Sequence, residues 1–372
     1  MNKLTKYALS DLYDIASGIS STKEQAGHGA PFLSFGTVFN NYFLPSELPD
    51  LMETSSKEQE IFSIKEGDVF FTRTSETVDE LAMSSVALKE YPCATFSGFL
   101  KRLRPKMEGL VYPKFMAFYF RSGYFRKLID CNTIMTLRAS FNEDIFSFLN
   151  VYLPNYSVQK KIGDFLYRLE VKTQLNSRIN DNLEQQMCLI FENILDKAQL
   201  NNIQGKNITV NEICQIITGK EDANFATSNG RYKFFTCSQD VLKCNDYAFN
   251  APSILIAGNG DFNVKHYSGK FNAYQRTYVL SAQKQYYALL YLSCLYRINS
   301  LKKSSAGSIV KFITKNDIES IPVFIPDDTS WLHLLNKLIY LQEQVRIENE
   351  QLIALRDWLL PLLMNGQAIV AN

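Results

Sequence analysis

The chain has 372 residues and a mass of 42.6 kDa, enough for two ordinary domains with separate cores. Its apolar share of 46% and charged share of 21% are those of a folded globular protein and exclude a disordered one, while a formal net charge of +1 points to no partner by itself. No run approaches ~18 consecutive apolar residues, which excludes a membrane-spanning helix, and the opening MNKLTKYALSDLYDIASG lacks the apolar centre of an export signal, so a cytoplasmic placement is expected.

Along the chain, LSDLYDIASG (Leu9 to Gly18) reads as a turn of amphipathic helix and a strand that close on a glycine loop. IKEGDVFFTRTS, from Ile64, reads as a turn, a buried strand over Val69 to Phe71 and a polar tip. Between Lys101 and Arg138 nine basic residues, Lys101, Arg102, Arg104, Lys106, Lys114, Arg121, Arg126, Lys127 and Arg138, face only Glu108 and Asp130. Phe115, Phe118, Tyr119, Phe120, Tyr124 and Phe125 are interleaved with them, and that mixture raises the expectation of a nucleic-acid surface.

From Val151 the sequence VYLPNYSVQKK gives an apolar strand stopped by Pro154, then helix-starting polar residues. A long apolar row follows at alternating spacings of three and four: Ile162, Phe165, Leu169, Asn176, Ile179, Leu183, Met187, Ile190 and Ile194. The same grammar then recurs. VNEICQIITG (Val210 to Gly219) repeats the first motif, and FNAPSILIAGNG from Phe249 repeats the second. VFIPDDTSWLHLL from Val323 repeats the proline-to-helix junction, with Leu334, Leu338, Leu341, Val345, Asn349, Leu352, Leu355, Leu359 and Leu362 as its row.

The offset is 201 residues at the first motif and 172 at the helices, so the second globular stretch is 29 residues shorter. About forty helical residues span roughly 60 Å, and a single narrow seam must find a partner. The two helices are expected to pack as an antiparallel coiled coil through Leu169, Asn176, Leu183, Leu341, Asn349 and Leu355, with an asparagine in each row available to set register. The fold expected is α+β: two sheet-rich globular domains, 1–150 and 205–322, with the long helices in 151–204 and 323–372, related as an internal repeat.

Signatures of catalysis are missing. Neither a phosphate-binding P-loop, an H-E-x-x-H helix nor a nucleophile elbow occurs, and Ala257 to Phe262 (AGNGDF) lacks the third glycine of a dinucleotide fingerprint. Seven scattered cysteines form no C-x-x-C pair, and three histidines leave a zinc site little to work with. No Pro-Pro occurs, so the Asn/Asp-Pro-Pro-aromatic tetrapeptide of amino-methyltransferases is absent.

The duplicated VYLPNYSVQKKIGDFLYRLEV region, the ending RDWLLPLLMNG (Arg356 to Gly366) and the openings LSDLYDIASG and IKEGDVFFT resemble the conserved regions and target-recognition domains of DNA specificity subunits from Type I restriction–modification enzymes. The second junction departs from that pattern, with Ser330, Trp331 and Leu332 where the first has Gln159, Lys160 and Lys161. The resemblance implies a non-catalytic subunit that selects a bipartite target in double-stranded DNA, one half-site per globular domain. Its partners would be two methyltransferase subunits, which bind the S-adenosylmethionine for adenine methylation, and restriction subunits; this chain itself would hold no cofactor. A coiled-coil scaffold with two ligand-binding heads and no DNA role is the alternative, and a gel-shift assay with the methyltransferase partner separates the two.

On this reading DNA contacts fall at polar tips and basic loops. In the first domain these are Arg73, Thr74, Ser75, Lys101, Arg102 and Arg104. In the second they are Asn259, Lys265, His266, Gln275 and Arg276, joined by Lys302, Lys303, Ser304, Ser305, Ser308 and Lys311 of LKKSSAGSIVK.

Overall fold

The computed structural model describes residues 4–75, 80–132, 139–304 and 312–370. They pack as two compact units. One holds the chain up to Gln174 together with the residues from Gln351 onward, and the other holds Leu175–Glu350. No described helix is long and apolar enough to cross a membrane.

In the first unit the strand Thr5–Ala8 pairs antiparallel with Asn150–Leu153, which delivers the chain into the helix Tyr156–Gln199. The main sheet runs Tyr13–Ser17, Leu100–Pro105, Val69–Thr72, Ser84–Val86, antiparallel throughout. A smaller sheet of Asp50–Met52, Ala26–Leu33 and Thr95–Phe96 lies beside it in sequence and carries its own apolar cluster.

The aromatic segment that resembled a nucleic-acid surface is the core of this unit. Phe115, Phe118, Tyr119, Phe120 and Phe125 are fully buried with Phe71 and Phe141, and only Tyr124 reaches solvent. Two helices, Pro113–Tyr119 and Gly123–Asn132, turn those rings onto the sheet and onto Ile162 and Leu166 of the long helix. The interleaved cations serve the fold as well. Arg121 donates to the carbonyls of Val38, Phe39 and Asn41, which end the helix Phe35–Asn40, and to that of Ser84 at 2.7 Å. Burial pulls its pKa down to about 10, so it stays charged at neutral pH. Arg126 donates to the Leu81 carbonyl and Lys114 pairs with Asp164. Arg138 lies outside the described residues.

The second unit repeats the plan. Gly205–Thr209 pairs with Pro322–Pro326 before the helix Ser330–Met364, and the main sheet runs Cys214–Thr218, Thr277–Ala282, Ser253–Ala257, Val264–Tyr267. The matched glycines are explained by close approach: a Cβ on Gly18 would lie 2.2 Å from the Ser97 carbonyl oxygen, and one on Gly219 would lie 2.1 Å from that of Ala273. Where the first unit inserts the helices Phe35–Asn40 and Ser56–Ile61, the second has the single turn Ala223–Phe225.

Within each unit the two long helices pair antiparallel. In the second unit Asn176 donates to Glu348 at 2.7 Å and Asn349 to Ser177 at 3.3 Å, while one turn further along the first helix the Asn180 carbonyl accepts from Gln342 at 3.3 Å, so the partner falls from 348–349 to 342 as the first helix advances. In the first unit Arg356 meets Glu170 at 3.0 Å. Asn176 is buried and Leu169 and Leu183 are half-buried, as a seam requires. Leu341 and Leu355 stand outside it, 41% and 40% exposed. Asn349 keeps its expected place in the seam, but the rest of the covered face of Ser330–Met364 starts at Leu332 and lies one residue beyond the expected row, at Leu335, Ile339, Gln342, Arg346, Arg356, Leu360 and Leu363. Its middle is polar because long side chains bury their stems and carry hydrogen-bonding heads, whereas an apolar pattern selects the adjacent leucine row. Asn176→Leu is expected to leave the chain folded but to admit other registers or oligomers, read by sedimentation velocity; a variant that stays uniquely monomeric and gains stability would end the pairing role.

Candidate nucleic-acid interface

One end of each main sheet carries the same backbone construction. In the first unit the strand Val69–Thr72 ends at Arg73, whose N–H donates to the Phe99 carbonyl at 2.8 Å and whose own carbonyl accepts from Phe141 N–H at 2.8 Å. In the second unit Ser253–Ala257 ends at Gly258. Its N–H donates to the Arg276 carbonyl at 2.9 Å, and its carbonyl accepts from Ile313 at 2.8 Å. Beyond these positions Thr74–Ser75 pairs with Ala139–Ser140, and Asn259 bridges Phe312. The tips are homologous in geometry and differ in what they display.

The first tip presents Arg73, exposed and steadied by a 3.3 Å bond from Nη1 to the Gly98 carbonyl, together with Thr74. Ser75 is buried and donates to Glu80 at 3.0 Å, so it supports the tip from beneath. Phe99, 63% exposed, occupies the place that Arg276 holds in the second unit. No polar pattern flags it; only its position one residue before a strand, after Gly98, could have.

The second tip presents Asn259, Gln275 and Arg276. The turn beneath is tied by Gln275 N–H to the Glu221 carbonyl at 2.9 Å and Thr277 N–H to that of Tyr274 at 2.8 Å. Arg276 and Gln275 are exposed, and among the described residues neither side chain holds a hydrogen bond or ion pair. Lys265 instead braces a neighbouring loop, donating to the Ser238 carbonyl at 2.5 Å and to Asn263 at 2.8 Å; burial lowers its pKa. Lys302 pairs with Asp261 at 3.0 Å. Gln239 and Lys302 together hold the Asp261 carboxyl below its ordinary pKa.

Four more of the expected contact residues are engaged by partners within the chain. Lys101 is buried, its ammonium 2.8 Å from Ser17 Oγ and 3.4 Å from Glu143. Arg102 donates to the Ser63 carbonyl at 2.7 Å and lies over the Phe96 ring, and Arg104 grips the buried Asp68. These three run along a strand away from the tip, where a basic sequence cluster satisfies carbonyls, a hydroxyl and two carboxylates. His266 turns inward toward Gln342. Lys303 and Ser304 close the helix Tyr287–Ser304, and Ser305, Ser308 and Lys311 lie outside the described residues.

His266 titrates in a defined setting. Burial is the chief reason its pKa is lowered, and Arg346 acts in the same direction, against Gln342, Glu343 and Glu184; Tyr287 and Tyr291 complete the surroundings. The unfolded chain therefore binds more protons below about pH 6.5, so this contribution is full above that pH and declines as pH falls through it. Urea titrations of the full chain are expected to show a lower midpoint at pH 5.5 than at 7.5, with a smaller difference in His266→Phe. An equal difference in that variant would assign the dependence to other groups.

A family model described as "Type I restriction modification DNA specificity domain" matches residues 1–185 and again 202–352. The Type I restriction enzyme EcoDI specificity subunit of Escherichia coli is 37% identical over 172 residues, 44% of this chain and 39% of that protein. The HindI specificity subunit of Haemophilus influenzae is 26% identical over 186 residues, 49% of this chain and 39% of that protein. The matched part is thus about two-fifths of the length of either curated relative. A crystal structure of a Type-I restriction-modification system S subunit from M. genitalium aligns over 97% of this chain and 96% of that one, with a TM-score of 0.62 at 16% identity, and shares the fold. The repeated sheet-and-helix plan and the double match together show that the chain belongs to the family of Type I restriction modification DNA specificity domains.

Proposed function

We propose that this chain is a specificity subunit that reads a bipartite target in double-stranded DNA, one half-site per unit. Specificity subunits are the non-catalytic components of Type I systems. The observation that carries the proposal is the pair of tips: identical main-chain hydrogen bonds at Arg73–Phe99 and Gly258–Arg276 present unlike side chains. A repeated scaffold that displays different groups at matching backbone positions suits two different half-sites. Arg73 and Thr74 would face one, and Asn259, Gln275 and Arg276 the other. Residues 1–150 and 205–322 would be the recognition domains, with 151–204 and 323–372 as spacer.

The leucine row left uncovered on Ser330–Met364, Leu334, Leu341 and Leu355 with Trp358, supports a second role. Exposed apolar rows on a helix suit partner helices, and the partners proposed are two methyltransferase subunits. S-adenosylmethionine and adenine chemistry would reside on those subunits, and restriction subunits would join the complex.

Methylome sequencing of a host with and without the gene tests this directly, since a bipartite methylated motif should vanish with the gene. A matched heptad added to both long helices lengthens them by about 10 Å, close to three base pairs. The accepted spacer should change while both half-sites are retained. A motif without an unread centre, or a spacer indifferent to helix length, would overturn the reading.

A further inference from the structure

The Ser253–Ala257 and Val264–Tyr267 hairpin carries part of the second tip at one end, and His266 fixes its other end. His266 lies opposite Ile254, on the sheet face that joins Val264 and Leu280 in the unit's core. Its Nε2 is 2.9 Å from Gln342 Oε1, and its ring meets that of Tyr291 edge-on with centroids 4.8 Å apart. Gln342 is 7% exposed and directs its amide nitrogen to the Asn180 carbonyl at 3.3 Å and to Glu184 at 3.5 Å. The Tyr291 hydroxyl donates to the other Glu184 oxygen at 3.1 Å.

These bonds leave one proton arrangement. Because the Gln342 nitrogen donates to the first long helix, its oxygen accepts, and His266 must carry its proton on Nε2. Nδ1 is then a bare acceptor, buried and without a hydrogen-bond partner. A strand of the sheet, both long helices and the Tyr287–Ser304 helix are locked by one directional quartet. Apolar packing alone is non-directional and would tolerate small rotations of the sheet, whereas a buried polar set is satisfied in a single pose.

The first unit docks by other means. Gln159, 1% exposed, bonds Tyr112 N–H and the carbonyls of Leu110 and Pro154, while a Cβ on Gly163 would lie 2.6 Å from the Phe115 nitrogen. At the repeat offset the second unit has Trp331 and Leu335, which can reproduce neither contact.

We infer that His266 and Gln342 are positioning residues for target selection, which hold the second recognition sheet at one pose on the helix pair and so decide where Asn259, Gln275 and Arg276 fall on DNA. The inference rests on the bipartite reading above. Host methylomes of His266→Phe, Gln342→Leu and His266→Gln test it beside wild type, with urea midpoints of each purified full chain. In the first two, methylation at sites of altered spacer or degenerate second half-site should rise about tenfold relative to the proper sites, with the first half-site unchanged. His266→Gln keeps a donor near the ε position and should restore the wild-type pattern. Should His266→Phe fail to fold, Gln342→Met carries the same test with a side chain of equal length. An unaltered motif, or a uniform loss of methylation that follows the fall in stability, would overturn the positioning role while leaving the bipartite reading in place. A wild-type motif that is not bipartite would overturn both.

Discussion

Arg104→Ala is expected to destabilise the first unit by about 3–5 kcal/mol, the cost of stranding a buried charge. Asp68 is fully buried, and Arg104 is the cation that matches it. Nε lies 2.7 Å from Oδ1 and Nη2 2.6 Å from Oδ2, a bidentate pair, and Nη2 also reaches the Ser63 carbonyl at 2.9 Å. The same carboxylate accepts from Lys65 N–H at 2.8 Å and so pins the turn that leads into Val69–Thr72. Removing the guanidinium leaves that buried carboxylate with one backbone donor, and against a typical stability of about 5–15 kcal/mol the loss is large. Arg104→Lys keeps the charge without the planar fork and should recover only part of it. Urea denaturation of the full chain reads both variants. Wild-type stability in Arg104→Ala, accompanied by weaker DNA binding, would return Arg104 to the DNA-contacting set.

That pair also marks where sequence reading reached its end. The repeat was legible because its signals are local: the glycine that closes each first motif, the proline that stops each strand before a long helix, and an ungapped offset of 172 across the helices. Val69–Thr72 and Ser253–Ala257 emerged as central strands because both read as short apolar runs ending in a polar tip. The fate of a cation is not local. Lys101, Arg102 and Arg104 look alike in sequence, and only the folding-in of Ser17, Ser63 and Asp68, each 36 to 84 residues away, commits them to partners within the fold. Phe115 to Phe125 were ambiguous for the same reason, since an aromatic run suits a core and a stacking surface equally well. The helix seam was displaced by one residue because Gln342, Arg346 and Arg356 take seam positions that an apolar pattern passes over. His266 carried no sign of its direction; its partner Gln342 is 76 residues away.

Arg276→Ala is expected to weaken binding to DNA carrying the correct second half-site by about 10- to 100-fold and to leave discrimination at the first half-site intact. The backbone under Arg276 is rigid. Its carbonyl accepts from Gly258 N–H at 2.9 Å and from Cys237 Sγ at 3.4 Å, and the Gly219 loop closes against Ala273 and Tyr274 without room for a side chain. The head group above it is exposed, and among the described residues nothing competes for it. A fixed base with a free planar fork lowers the ordering cost of a bidentate contact to a guanine edge, and Gln275 beside it can address adenine. The competing role is a phosphate contact, and the two differ in their signatures. Loss of a phosphate contact weakens all sequences alike and reduces the slope of log affinity on log salt by about one. Loss of a base contact acts on one sequence and relaxes it at one position. Binding isotherms on duplexes altered in either half-site, taken across a salt series, separate these cases. Equal weakening on every duplex would make Arg276 a phosphate anchor, and unchanged binding on all of them would move the reading surface away from this tip.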